Sequence, residues 1–160
     1  IDQQNRNDVL QAFRTLESVS CVVFKEATRD QPDYLNITSD KVGCFAAAGY
    51  QGGPQELNLS PDGCFQHGVI VHEVLHSLGF HHQQSTWNRD EYVRIQYENI
   101  QENMEYNFRK FRKDEVDNFG EEYDYGSIMH YYATALSKND KPTIVPLIKG
   151  YEKLIGTRLQ

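Results

Sequence analysis

Positive charge is scarce in this chain. Its 160 residues carry 16 Lys and Arg against 23 Asp and Glu, a formal net charge of -7. Nucleic-acid binders usually present a basic face, so no nucleic-acid partner is expected. Long apolar runs are missing too. None approaches the roughly 20 residues that span a bilayer, so no membrane span is expected. There is no initiator Met and no signal peptide, so the chain reads as a processed or trimmed product whose start says nothing about compartment. Cysteine is sparse: Cys21, Cys44 and Cys64 are an odd set, so only one disulfide can close within the chain. Repeats and low-complexity segments are absent. What remains is an ordinary globular composition, 39% hydrophobic and 24% charged, at a length that suits one domain with a substantial core.

Two Asn-x-Ser/Thr sequons are present, at Asn36-Ile37-Thr38 and Asn58-Leu59-Ser60, the second followed by Pro61. They support secretion weakly, because such triplets are common by chance.

Periodicity places the elements. Val9, Leu10, Phe13 and Leu16 recur at helical spacing, which predicts an amphipathic helix over 5–19. Cys21-Val22-Val23-Phe24 and Tyr34-Leu35-Asn36-Ile37-Thr38 read as strands. So do Gly43 to Tyr50 and Gln55 to Ser60, with the turn signal Gln51-Gly52-Gly53-Pro54 between them. A long apolar helix is expected from Phe65 to about Leu78, ended by Gly79. The second half has few strand signals and many aromatic and charged residues. It offers partly helical patterning over 91–108, a Tyr- and Gly-rich packed loop over 119–132, and an aperiodic stretch over 142–155.

The histidines are concentrated. The segment "HEVLHSLGFHH", His72 to His82, holds four of the six in the chain. On a helical wheel at about 100° per residue, His76 lies about 40° from His72, one turn on, and Glu73 about 100° away. Phe65 and Val69 share the histidine face, and Ile70, Val71, Val74, Leu75 and Leu78 cover the rest, so the helix is apolar nearly all round and buried. Two imidazoles one turn apart on a buried helix can point at one atom, which is the arrangement of zinc ligands. Glu73 is placed to take a proton from water activated by such a metal. Gly79 lets the chain turn back sharply and present His82 as a third ligand. His72-Glu73-x-x-His76-x-x-Gly79-x-x-His82 is the extended metzincin pattern. By spacing His81 is a surface histidine, and His67, off the metal face, is structural.

Downstream, "GSIMHYY", Gly126 to Tyr132, resembles the Met-turn of the astacin family of zinc metalloendopeptidases. The resemblance makes Met129 the floor beneath the zinc ligands. It makes Tyr131 the tyrosine that coordinates zinc at rest and swings away to stabilise the transition state. Without the upstream motif, Met129 and the tyrosines would read as core filler. "CFAAAGYQGGPQELNLSPDGC" resembles the family's edge-strand segment, which implies a Cys44–Cys64 disulfide and places Phe45, Ala46 and Ala47 on the rim of a substrate cleft. "NRDEYVRI" and "IVPL" also resemble family segments.

The resemblance implies an α+β, zincin-like fold: an N-terminal twisted sheet with two long helices, a mostly irregular C-terminal subdomain, and a cleft between them. It implies one catalytic domain over 1–160, with subdomains of about 1–82 and 83–160, trimmed by on the order of 20 residues at each end of a domain of about 200. It further implies one catalytic zinc ion, a protein or peptide substrate, a propeptide in the precursor, secretion, and a partner for Cys21 in the missing tail. Three positions depart from the pattern. Gln83 replaces the usual Glu, Thr86 the usual Arg and Asn88 the usual Asp. Gln83 cannot make the ion pair by which the family glutamate ties down the mature N-terminus. These departures leave a rival to the zinc endopeptidase: a catalytically impaired, zinc-binding interaction domain of the same fold.

Overall fold

The computed structural model describes residues 1–157. By its internal contacts the chain divides into two units, Ile1–Phe80 and the residues from His81 onward.

The first unit is built on α1, Gln3–Val19, and α2, His67–Ser77, with a three-stranded sheet of β1, Tyr34–Thr38, β2, Cys44–Ala46, and β3, Pro54–Leu59. The strand order is β1-β3-β2. β1 runs parallel to β3, pairing Tyr34 with Pro54 and Thr38 with Asn58, while β2 runs antiparallel to β3 and pairs Cys44 with Leu59. Asp2 caps α1 by accepting a hydrogen bond from the Asn5 amide at 2.7 Å, so the helix begins at Gln3, two residues before the expected start at 5. α1 buries Val9, Ala12 and Leu16, while α2 buries Ile70, Val71 and Val74 and β3 buries Leu57 and Leu59. α2 lies against α1 and against β2 and β3. His67 is structural, as its position on the wheel suggests: its Nε2 lies 3.2 Å from the Thr15 hydroxyl of α1. The Cys44–Cys64 disulfide closes the loop that leads into α2.

Four sequence expectations shift. Cys21–Phe24 does not form a strand. Phe24 instead stacks on Phe13 of α1, ring centroids 4.1 Å apart, and its amide donates to Glu17 at 2.8 Å, so its backbone donor is spent on a side chain. The strand expected over Gly43 to Tyr50 stops at Ala46, leaving Ala47 outside it. The strand expected to begin at Gln55 begins at Pro54 and ends at Leu59. α2 begins at His67, with Gln66 as its N-cap, so Phe65 lies in the preceding turn and not on the helical face with His72.

The second unit is mostly irregular, as its weak patterning implies. Among the described residues it contains short single-turn helices and an antiparallel strand pair, β4, Val93–Ile95, and β5, Ile144–Pro146. The helical patterning over 91–108 resolves into β4 and two such turns, Tyr97–Asn99 and Glu105–Phe108. The core is aromatic and branched: Val93, Ile100, Phe108, Tyr123, Tyr125, Ile144 and Ile155. Arg89 is buried in this unit and satisfies its guanidinium on the Gln84 and Phe108 carbonyls, the Tyr97 hydroxyl and the Asp90 carboxylate. A buried cation bonded this fully is a strut.

Candidate metal centre

His72 and Glu73 are buried in the middle of α2, and His76 is buried one turn later. The His72 and His76 rings meet edge to face with centroids 4.7 Å apart. The helix then ends in a Schellman turn. The Gly79 amide donates to the His76 carbonyl at 2.8 Å and the Phe80 amide to the Leu75 carbonyl at 3.0 Å, with Gly79 at φ +103°. The Gly49 amide reaches the same His76 carbonyl at 2.8 Å, which fastens the strand-side loop to the end of the helix. This turn carries the chain to His82. One nitrogen from each of His72, His76 and His82 lies within 4.8 Å of the others.

The chemistry of this donor set fits a zinc ion. Three neutral imidazoles are a standard zinc ligand set, and carboxylate or thiolate need not take part. The His76 tautomer is fixed as well. Its Nδ1 lies 2.8 Å from the Phe80 carbonyl oxygen, which can only accept, so Nδ1 carries a proton, and in the neutral ring Nε2 is then the nitrogen that a metal would take. The same turn that brings His82 round therefore also orients His76. His81 does not join the set. It is exposed and packs on Phe111 with ring centroids 4.4 Å apart, and partial desolvation lowers its pKa.

Within the second unit the ring of Tyr131 packs on that of His82, centroids 4.3 Å apart. Several hydrogen bonds hold the backbone of the segment carrying Tyr131. Gln83 donates its amide to the Met129 carbonyl at 3.0 Å. The Met129 amide donates to the Ser127 hydroxyl at 3.2 Å, and the Tyr131 amide to the side-chain carbonyl of Gln84 at 3.0 Å. His130 Nδ1 lies 2.7 Å from the Tyr131 carbonyl oxygen and so is the protonated nitrogen, while its Nε2 accepts from the Tyr123 hydroxyl at 2.6 Å. Burial pushes the His130 pKa down to about 4 and that of Tyr123 well above its ordinary value, so both are neutral across the physiological range. Behind them, Gly156 lies flat on the Tyr132 backbone: a Cβ there would fall 2.3 Å from the Tyr132 amide nitrogen and Cα, so no side chain fits without moving the turn.

Two of the three positions that depart from the family pattern meet in one polar network. Thr86 donates to Asn118 at 2.7 Å, and the Asn118 amide donates to Asn88 at 3.3 Å, so the side chains here are neutral. Gln83 uses its backbone, not its side chain, to hold Met129.

The sequence reading did not single out Gln84, Tyr123, the Phe80 carbonyl or Gly156. Gln84 sits in a three-residue helical turn, Gln83–Ser85, and its partner Tyr131 is 47 positions away, so no local pattern connects them.

The sequence model of Astacin (Peptidase family M12A) matches residues 1–160. The chain belongs to the astacin family. Among curated astacin relatives it is 41% identical over 154 residues to zinc metalloproteinase nas-13 of Caenorhabditis elegans, covering 96% of this chain and 33% of that protein. It is 45% identical over 156 residues to seminal metalloprotease 1 of Drosophila melanogaster, covering 92% of this chain and 61% of that protein. Among solved structures it superposes on high choriolytic enzyme 1, a hatching enzyme zinc-protease of Oryzias latipes, with a TM-score of 0.91 at 36% identity, over 99% of this chain and 76% of that one. This astacin chain spans about a third of the length of the first curated relatives it matches, 33% and 30%. The expected α+β metzincin fold is the observed one.

Proposed function

We propose that this astacin chain is the catalytic part of a zinc-dependent endopeptidase. The convergence of His72, His76 and His82 beside a buried Glu73 carries the reading. These three histidines would hold one zinc ion, with Tyr131 as a further ligand at rest. Bound zinc supplies Lewis acidity, which makes water nucleophilic near neutral pH and polarises a peptide carbonyl. Glu73 takes the proton of the attacking water and returns it to the leaving amine. Its burial beside His72 and His76 on the same helix places it for that shuttle. The Tyr131 hydroxyl donates a hydrogen bond to the oxygen on which negative charge develops. Met129 serves as the apolar floor, and its burial supports that role.

The substrate is a protein or peptide in extended form. β2 has β3 on one side and no strand on the other among the described residues. A peptide adding to that free edge along Phe45 and Ala46, continuing past Ala47, would be recognised through its backbone. Phe45 is exposed there. The chain is secreted, a reading supported by its disulfide and by relatives named as seminal and choriolytic enzymes. A propeptide in the precursor would keep the site silent until export. No helix among the described residues is long and apolar enough to cross a membrane.

The impaired-domain reading draws on Gln83, Thr86 and Asn88, but Thr86 and Asn88 meet in a neutral network through Asn118 and Gln83 holds Met129 through its backbone, which favours a working enzyme. The deciding measurement is zinc content together with chelator-sensitive cleavage of an unstructured protein. Glu73→Gln should retain one zinc per chain and lose about 10²–10⁴-fold in turnover. Near-normal turnover of that variant would refute the mechanism, and zinc without cleavage in the parent would favour the impaired domain.

A further inference from the structure

The two sequons stand on neighbouring strands of one sheet, and the fold treats them in opposite ways. Asn58 on β3 is fully buried. Its side-chain oxygen accepts from the Thr38 hydroxyl and the Lys41 amide, both at 3.2 Å. Its Nδ2 donates to the carbonyls of Lys41 at 3.0 Å and Gly43 at 2.8 Å. Both Nδ2 hydrogens are thus committed, and they hold the loop that leads into β2. A sugar on this nitrogen would replace one of those hydrogens and place a large hydrated group in the core. A chain so modified could not reach this fold.

Asn36 on β1 is exposed. The strand alternates, with Tyr34 and Asn36 toward solvent and Leu35 and Ile37 partly buried. β1 is also the strand farthest from β2 in the order β1-β3-β2. A glycan on Asn36 stands two strand spacings, about 10 Å, from the strand whose free edge is proposed to take substrate. The solvent face of the sheet has room for it, and the site is left open.

We propose that Asn36 is an N-glycosylation site of this protein and that the folded, exported protein carries no glycan on Asn58. The proposal rests on the secretory reading above, because the transfer happens in the secretory lumen. The donor class is a lipid-linked oligosaccharyl pyrophosphate. The anomeric carbon of the sugar forms a bond to Asn36 Nδ2 as its bond to the pyrophosphate oxygen breaks. Nδ2 gives up one proton, and the lipid pyrophosphate leaves with the electron pair. Transfer acts on the extended nascent chain, so the hydrogen bond that the Thr38 hydroxyl later donates to Glu56 does not obstruct it.

The test uses the full-length precursor expressed in a eukaryotic cell. It reads export to the medium and sugar occupancy separately. Enzymatic removal of N-glycans in ¹⁸O water marks each former glycan site as an isotopically labelled aspartate in a peptide map. The expected result is exported protein with label at Asn36 and none at Asn58. Asn36→Gln should be exported without the glycan-dependent mobility shift and with unchanged cleavage of a peptide substrate. Exported protein without label at Asn36, or with label at Asn58, overturns the proposal. Protein retained in the cytosol overturns the secretory reading and the proposal with it.

Discussion

Gln84 is the residue whose consequences reach furthest beyond its size. It is fully buried, its side-chain carbonyl receives the Tyr131 amide, and its own amide nitrogen has no hydrogen-bond partner. A buried orphan donor costs free energy, yet the residue is present. Gln84→Met removes both the useful acceptor and the orphan donor, and these two effects oppose each other. Stability should therefore change by less than about 1 kcal/mol, as read by denaturant unfolding. The loss of one hydrogen bond to the Tyr131 backbone, about 1 kcal/mol, should lower kcat about fivefold with KM little changed. The same substitution in a Tyr131→Phe background should have little further effect, because the group it positions is gone. Equal losses in both backgrounds would show that Gln84 acts elsewhere. The proposed metal ligands and base are local in the sequence, since His72, Glu73 and His76 lie within about one helical turn and a glycine marks the reversal to His82. Gln84 was not, because its partner is distant in the chain.

At the scale of elements, the β1-β3-β2 sheet depends on two devices beyond its ladder. The Cys44–Cys64 bridge spans 20 positions. Closing a loop of that size restricts the unfolded chain by about 3 kcal/mol. A Cys44→Ala/Cys64→Ala variant should lose close to that amount in denaturant unfolding under conditions where the parent stays oxidised. The second device is polar. Glu56 on β3 accepts hydrogen bonds from Lys41 and from Thr38 of β1, and these hold its carboxyl below its ordinary pKa. A folded-state pKa below the unfolded one gives stability that is present above the unfolded value, near 4.3, and is lost as pH falls through the folded value. Stability should thus fall below about pH 4.3, and Glu56→Gln should flatten that limb of the unfolding-versus-pH curve. A variant with the parent's acid limb would remove Glu56 as its source. The sheet's boundaries were only partly legible. Cys21–Phe24 has strand composition, yet the Phe13–Phe24 stack and the Glu17 side chain draw it onto α1 instead. Packing against a neighbour outweighs local propensity in so short a run.

For the molecule as a whole, the proposed zinc is a ligand of the folded state alone. Its three ligands converge only when the Schellman turn is made, so binding and folding are linked. At free zinc about 100-fold above its dissociation constant, stability should rise by about 2.7 kcal/mol. Calorimetry of the zinc-loaded protein should show a lower Tm after chelation, restored on adding zinc back. A Tm indifferent to chelation would mean that the three histidines hold no ion of consequence.

The sequence by itself determined the histidine helix, the glutamate within it, the glycine that reverses the chain and the family to which these belong. Each is a local pattern, written within one or two helical turns, and local geometry follows from it directly. Only the tertiary structure decided which nitrogen of His76 carries a proton, what fastens Tyr131, and how Thr86, Asn88 and Asn118 join in one neutral network. It alone separated a usable sequon at Asn36 from a buried one at Asn58. Those outcomes depend on groups that are strangers along the chain and meet only when the backbone's hydrogen-bond demands and the apolar core are satisfied together.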